Sequence, residues 1–348
     1  MGSITSLLDI SQQALTADQE ALNVTANNVA NQNTPGYTRE VVNFQAVDSV
    51  TLSGGSFGSG VTANETSQRN RVLNQSVQQQ TQTQAQSGAL ESALQQVQNI
   101  FDLSSTATSA SSTVLGAAAD SFFSSLSALA SDPSDTATRQ NVLATANSLA
   151  SAFNSASTQL SQVSTGLSQQ VTSDVSQVNT LTTTIASLNG QITALSPNSD
   201  AGTLEDQRQL AITQLSQLVG LDQISTENNG LTLTTSGGAV LVSGSQSFAL
   251  STTQVGGVTH VLAGVGSQDV TSNLTGGDLG GTLQARDQQL PSYQSALDNL
   301  AFSIGTQVNQ QNEQGVDANG NPGAALFSLP GSSTGAAGLI QVTTTDPN

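Results

Sequence analysis

The sequence predicts a mainly α protein with a small β subdomain, an elongated helical bundle or coiled coil built on one very long helix. Three observations carry this expectation. Apolar residues recur in alternating steps of four and three from Val142 to Leu195; a heptad stripe of Leu8, Leu15, Leu22 and Val29 opens the chain; and from Leu221 to Gly277 strand-like alternation replaces helical periodicity.

The opening stripe is narrow. Leu7, Ala14 and Ala21 flank it at the same seven-residue spacing, and Ile4 lies one turn before Leu8. A strict heptad keeps one seam facing a partner helix. Such a helix is marginal alone and forms when docked against neighbours. It ends in Asn31-Gln32-Asn33-Thr34-Pro35-Gly36-Tyr37, where Pro35 forces Thr34 out of the helical region and Gly36 permits a tight turn. Val41, Val42 and Phe44 then read as a strand, and glycine-rich Ser53–Gly60 as a flexible loop. A second helical region is expected from about Ser67 to Leu103, with its stripe at Leu90, Leu94, Val97 and Phe101, and a third near Val114–Ala130. Asp132-Pro133-Ser134-Asp135 stops that helix and caps the next.

The longest periodic run follows. A helix from about 136 to 195 would measure roughly 90 Å at 1.5 Å per residue. Ser196-Pro197-Asn198 ends it, and a shorter helix spans about Leu204–Val219. Leu231-Thr232-Leu233-Thr234, Ala239–Val242, Phe248–Leu250 and Val258–Leu262 read as antiparallel strands, with Asn229-Gly230 as a hairpin turn. Helical periodicity returns at Leu279 and runs through Val308, with Arg286 on the stripe, laid against a carboxylate such as Asp287 or a backbone carbonyl. A Gly315–Gly323 loop and a strand-like Leu339–Val342 close the chain. The segmentation is therefore 1–40 (assembly helix and turn), 41–220 (helical bundle), 221–277 (β subdomain) and 278–348 (returning helix, loop and strand).

Composition narrows the function. The 348 residues carry 24 acidic and six basic side chains, all six of them arginine, for a net charge of −18. Such a surface repels phosphate, which disfavours nucleic acids and anionic membranes. No cysteine is present, so disulfides, thiolate zinc sites and cysteine nucleophiles are excluded, and the single histidine, His260, excludes sites needing two imidazoles. With 3% aromatic residues, order must come from long aliphatic stripes or from partners. No window approaches the ~20 apolar residues of a membrane span, so membrane insertion is not expected. The N-terminus lacks a cleavable signal pattern. Met1–Ser6 fits the loose myristoylation pattern, but helical periodicity from Ile4 explains the same residues.

Candidate chemistry is thin. His260 lies in a strand pattern. Asp317-Ala318-Asn319-Gly320-Asn321 begins like a calcium loop but places Pro322 at position six and Ser328 at position twelve, where glycine and glutamate belong. Glu205 and Asp206 beside Arg208 read as charge pairing on a helix surface. No lysine means no standard P-loop, and no serine has a neighbouring general base. The chain reads as no enzyme, with no cofactor.

Ala26-Asn27-Asn28-Val29-Ala30-Asn31-Gln32-Asn33-Thr34-Pro35-Gly36-Tyr37-Thr38-Arg39, following a heptad helix, resembles the signature of bacterial flagellar rod, hook and hook-associated proteins. Its Pro-Gly-Tyr-Thr-Arg ending is similar to the hook-associated branch. Asp120–Leu126 with Ser131–Asp135, Glu205–Arg208 with Leu215–Gly220, and Gly276–Gly281 followed by Arg286–Tyr293 extend the resemblance over most of residues 1–345. It implies a structural junction subunit between hook and filament, secreted through the flagellar channel and extracellular. The implied partners are further copies of itself, the hook subunit, a second hook-associated junction protein and an export chaperone. The residues expected at subunit interfaces are Leu8, Leu15, Leu22 and Val29 in the seam, and Asn27, Asn28, Asn33, Pro35, Gly36, Tyr37 and Arg39 in the turn. The family also implies a C-terminal heptad helix packed antiparallel on the first. The sequence stops at Asn348 before any such helix, which reads as a fragment, a truncated form, or a different partner for the first helix. Two other functional classes stay open on the sequence: a secreted adhesin using the 221–277 region, and a peptidoglycan-cutting enzyme, for which no carboxylate pair stands out.

Overall fold

The computed structural model describes residues 2–47, 50–52, 55–57, 60–101, 114–195, 201–225, 230–316 and 320–347. In chain order, helix α1 (Gly2–Ala30) is followed by strands β1 (Glu40–Ala46), β2 (Val50–Leu52), β3 (Gly55–Phe57) and β4 (Val61–Ser67). Helices α2 (Arg71–Ile100), α3 (Val114–Ser131), α4 (Thr136–Leu195) and α5 (Thr203–Leu218) come next. Seven short strands follow: β5 (Leu221–Ser225), β6 (Leu231–Thr235), β7 (Val240–Ser243), β8 (Gln246–Ser247), β9 (Ser251–Val255), β10 (Val258–Ala263) and β11 (Gln268–Asp269). The chain closes with α6 (Gly277–Gln284), α7 (Leu290–Glu313), β12 (Phe327–Ser328), α8 (Ala336–Leu339) and β13 (Gln341–Val342). The fold is mainly helical with a small β region and one very long helix, as the periodicity predicts.

Packing divides the chain into two compact units built from discontinuous segments, where the sequence reading expects four consecutive ones. The first unit comprises Met1–Ala85, Val175–Thr252 and Val261–Gly277; the second comprises Gln86–Asp174, Thr253–His260 and Asp278–Asn348. The physical reason is that α2 and α4 are single uninterrupted helices with residues in both.

The second unit holds a continuous apolar core. Phe122 of α3, Leu149 and Phe153 of α4, Leu297 of α7, and Phe327 and Ile340 are buried in it, with Phe122 and Phe327 meeting edge-on, ring centroids 5.8 Å apart. Polar side chains on the helices hold the irregular C-terminal segment onto this core. Asn154 donates to the carbonyls of Ala337 and Ile340 at 2.8 and 3.2 Å. Asn309 both donates to and accepts from the backbone of Phe327. Asp298 accepts from the N–H groups of Gly335 and Ala337, satisfying backbone donors that burial would otherwise leave unpaired. Helix α3 is long and apolar enough by length and composition to cross a membrane, which the sequence reading did not expect. Its apolar stripe of Leu115, Phe122, Leu126 and Leu129 packs on this core instead.

In the first unit, a four-stranded antiparallel sheet runs in the order β5-β6-β7-β8. Amides of α4 again clip it in place: Asn189 donates to the carbonyls of Leu231 and Gly244, and Asn179 bonds both backbone groups of Leu250. A further sheet orders as β11-β10-β9; His260 lies in β10.

Several elements depart from the sequence reading. Ser53–Gly60 is not simply a loop, because β2 and β3 pair there, Leu52 opposite Gly55. Strand β4 was invisible because Val61-Thr62-Ala63-Asn64-Glu65-Thr66-Ser67 carries almost no apolar alternation, and it pairs β1 from Glu40↔Ser67 to Ala46↔Val61. Phe248–Leu250 lies just outside the strands. The returning helix is broken by a π-helical turn at Ala285–Gln289. There Arg286 is buried, bonding both Asp287 carboxylate oxygens and the Thr259 carbonyl, so it meets a carboxylate and a carbonyl together. Gly281 lets α6 approach α2 closely, since a Cβ there would lie 2.2 Å from the Gln86 carbonyl oxygen. Asp135 caps α4 as predicted, accepting from the N–H groups of Ala137 and Thr138. The calcium-like Asp317–Asn319 and Asn229 of the expected turn lie outside the described residues.

One core carboxyl is mis-solvated. Asp174 on α4 is 1% exposed. Burial is the main reason its carboxyl is pushed up to about 6, opposed by a hydrogen bond from Gln170 and reinforced by Asp278. The folded chain therefore keeps this proton to higher pH than the unfolded chain. That favours folding below the ordinary carboxylate range, and the advantage is lost as pH rises through about 6. Asp174→Asn, uncharged at every pH, is expected to be more stable than the natural chain at pH 8 by on the order of 1–3 kcal/mol. At about pH 3, below the ordinary carboxyl value of 3.8, the difference should close. Thermal melts at the two pH values check this, and a gap independent of pH contradicts it.

Candidate assembly surface

Helix α1 has two heptad faces, and they do different things. Ile10, Ala14, Ala17, Ala21, Val24 and Asn28 form its inner face, with Ala17 and Val24 buried and the others half-buried. This face meets β1 and β4. Two residues before Ile10, Ala17 and Val24, roughly 200° around the helix, stand Leu8, Leu15 and Leu22, which with Val29 are 61–69% exposed. Ile4 and Leu7 extend that outer stripe and are equally exposed.

Two expectations change here. Ala14 and Ala21 do not flank the seam; they line the opposite face, where small side chains let the hairpin come close. The helix, expected to be largely unpaired in the isolated chain, also packs on its own chain: it runs from Gly2 to Ala30 with the β1–β4 hairpin against its inner face. A carboxyl pair adds to that support. Glu65 of β4 shares a hydrogen bond with Glu20 of α1, which is the chief reason its carboxyl is raised to about 7, with burial and the charges of Glu20 and Glu40 adding to it.

The turn after α1 is organised by Asn28. Its side-chain N–H donates to the Glu40 carbonyl at 2.8 Å, and its oxygen accepts from the Glu40 N–H and the Tyr37 hydroxyl, both at 3.0 Å. The Asn27 carbonyl accepts from the Asn31 backbone and side chain, Thr34 accepts from Tyr37 N–H, and Gly36 takes φ +83°, a conformation that disfavours any side chain. Asn33, Pro35 and Arg39 stay exposed and Tyr37 is half-buried. Burial first, then Glu40, Asp206 and Glu65, hold the Tyr37 hydroxyl above its ordinary range.

What the sequence reading missed is the anchor beneath this turn. Glu205 and Asp206 are buried, not on a surface, and both pair with the remote Arg69. Arg69 bonds Glu205 through Nη1 and Asp206 through Nη2 at 2.9 Å. The other Asp206 oxygen accepts from the Thr38 N–H at 2.8 Å, so α5, the strand end before α2 and the turn meet at one carboxylate. Sequence spacing could not reveal a pair separated by more than 130 positions.

A profile of the "flagellar hook-associated protein FlgK helical domain" matches residues 94–327, more than half of the chain. The chain belongs to the flagellar hook-associated protein FlgK family. A second profile, of flagella basal body rod proteins, matches residues 8–38, the seam and turn just described. Flagellar hook-associated protein 1 of Escherichia coli (strain K12) is 29% identical over 338 residues, covering 94% of this chain and 60% of that protein. The Bacillus subtilis (strain 168) protein of the same name is 28% identical, covering 96% and 73%. The chain thus spans 60% of the length of the enterobacterial FlgK relative. The solved structure of the flagellar hook junction protein FlgK from Burkholderia pseudomallei aligns with a TM-score of 0.63 and 34% identity, over 74% of this chain and 47% of that one.

Asn28 closes three hydrogen bonds across the turn. Asn28→Ala is expected to cost on the order of 1–3 kcal/mol and to release amide exchange protection at Glu40 and neighbouring β1 positions. Hydrogen exchange of the variant checks this, and unchanged protection at Glu40 contradicts the anchoring role.

Proposed function

We propose that this chain is a non-enzymatic structural subunit of the bacterial flagellum that joins hook to filament, assembling outside the cell through the outer stripe of α1. The observation that carries the reading is that stripe: six aliphatic side chains on one helix face, each more than 60% exposed, on a helix whose opposite face is already occupied. A chain this polar gains nothing from leaving such a face wet, and contiguous exposed apolar surface of this size marks an interaction site.

Magnitudes indicate the kind of partner. Covering the exposed part of six aliphatic side chains yields roughly 1–2 kcal/mol each. Losing the freedom of one free molecule costs on the order of 4–15 kcal/mol. A single pair of subunits is therefore marginal, whereas a ring or tube, in which each helix touches neighbours on more than one side, is favourable. Copies of the chain itself, the hook subunit and a second hook-associated protein are the partners this reading assigns. An export chaperone is a further partner this reading assigns. Asn27, Asn33, Pro35 and Arg39, exposed around the turn, are its candidate secondary contacts, while Asn28, Gly36 and Tyr37 shape that turn.

Leu15→Asp with Leu22→Asp places two charges on the outer stripe without touching the inner face. The circular dichroism and melting temperature of the isolated chain should change little, and incorporation at the hook tip should stop. Normal incorporation of the double variant in cells lacking the natural subunit contradicts the assignment.

A further inference from the structure

Three of the six arginines of this strongly acidic chain line a single cavity in the first unit: Arg69, Arg71 and Arg208. The cavity, of about 150 Å³, lies where the first turns of α2 meet α5 and the β5–β6 end of the sheet. Arg69 is committed to Glu205 and Asp206. Arg208 is anchored differently: its Nη1 donates to Asn189 Oδ1 at 2.9 Å, and Asn189 is itself fixed by two backbone carbonyls. Burial lowers the Arg208 affinity for its proton most, Glu205 opposes this next, and the charges of Arg69 and Arg71 lower it further. Three guanidinium groups and the Glu205 carboxylate thus share the space.

Arg71 has no ion-pair partner among the described residues. It stands in the first turn of a 30-residue helix, where a cation opposes the helix dipole and an anion is favoured. Gln78, two turns on, is 5% exposed, lines the same cavity, and makes no side-chain hydrogen bond among the described residues. The Gln78 amide opens onto the cavity rather than being sealed from it, so its N–H groups are available to a polar occupant there.

We propose that this cavity is a binding site for a small oxyanion, a phosphate- or carboxylate-class group held between the Arg71 and Arg208 guanidinium groups and the Gln78 amide N–H. A guanidinium presents paired N–H donors that match two oxygens of such a group. The volume admits a ligand of about six heavy atoms, by comparison with benzene-sized cavities. The same chemistry is offered by a free anion or by an Asp or Glu side chain of a second copy. Bound there, the anion ties α2, α5 and the β5–β6 edge together.

The test uses the full chain with sodium phosphate, sodium sulfate and sodium acetate as probes, titrated at constant ionic strength by calorimetry and thermal melts, with sedimentation as a parallel arm. A free-anion site gives saturable binding at millimolar concentration or below and a matching rise in Tm. Arg71→Gln and Gln78→Leu each weaken it at least tenfold, and Arg71→Lys weakens it less. A site for a second copy's carboxylate gives no saturable anion binding but a self-association that Arg71→Gln abolishes. Neither behaviour, or anion binding indifferent to both Arg71→Gln and Gln78→Leu, overturns the proposal. Because Arg71 is exposed and outside every hydrogen bond described, its substitution leaves the fold intact, and unchanged melting of Arg71→Gln without anion confirms that control.

Discussion

The inner face of α1 is built from Ala14, Ala17 and Ala21 with Val24 and Ile10, and the β1–β4 hairpin rests against it. Small side chains permit close approach without requiring a deep core, which suits a chain so poor in aromatics. Their placement also decides where the leucines go. With the hairpin occupying one side, the heptad stripe at positions 8, 15, 22 and 29 is left on the other, held in a helix that would be marginal without support. Everything assigned to assembly follows from this division of labour between two faces of one helix.

The scarcity of charge gives the few ionic groups a large structural share. Arg69 gathers Glu205 and Asp206, and Asp206 in turn receives the Thr38 N–H. Arg286 closes the π-helical turn on Asp287 and Thr259. A buried ion pair is weak evidence of net stability, but removing one partner strands the other, so such pairs fix register between distant segments. Elsewhere the same work is done by neutral amides: Asn154, Asn179, Asn189 and Asn309 each bond the backbone of an irregular segment. Helices rich in Ser, Thr, Gln and Asn can carry irregular segments because their asparagines satisfy those segments' carbonyls and N–H groups.

Much of the helical architecture was legible because helical periodicity is local and repeated: α4 from Thr136 to Leu195 needs nothing but its own four-and-three spacing. The turn after α1 was legible through Pro35 and Gly36, whose backbone restrictions are intrinsic. Strand β4 was not, since a polar strand docked by hydrogen bonding carries no alternating signal. Nor was the inner face of α1: Ala14 and Ala21 share the heptad spacing of the leucines, and only the hairpin's position tells which side they line. Glu205 and Asp206 looked like surface charge because their partner is remote in sequence and Arg208 is near. Within the candidate surface, the outer stripe could be read from spacing, and the anchor that orients the turn beside it could not.

The central claim is that α1 is held by one face and open on the other, and thiol reactivity measures both faces directly. The chain contains no cysteine, so Leu15→Cys and Ala17→Cys variants each report one position. In the isolated chain, a maleimide should modify the Leu15→Cys thiol at a rate near that of an unstructured peptide and the Ala17→Cys thiol at least tenfold more slowly. In the assembled flagellum both should be protected. Equal reactivity of the two thiols in the isolated chain, or an accessible Leu15→Cys thiol after assembly, contradicts the account.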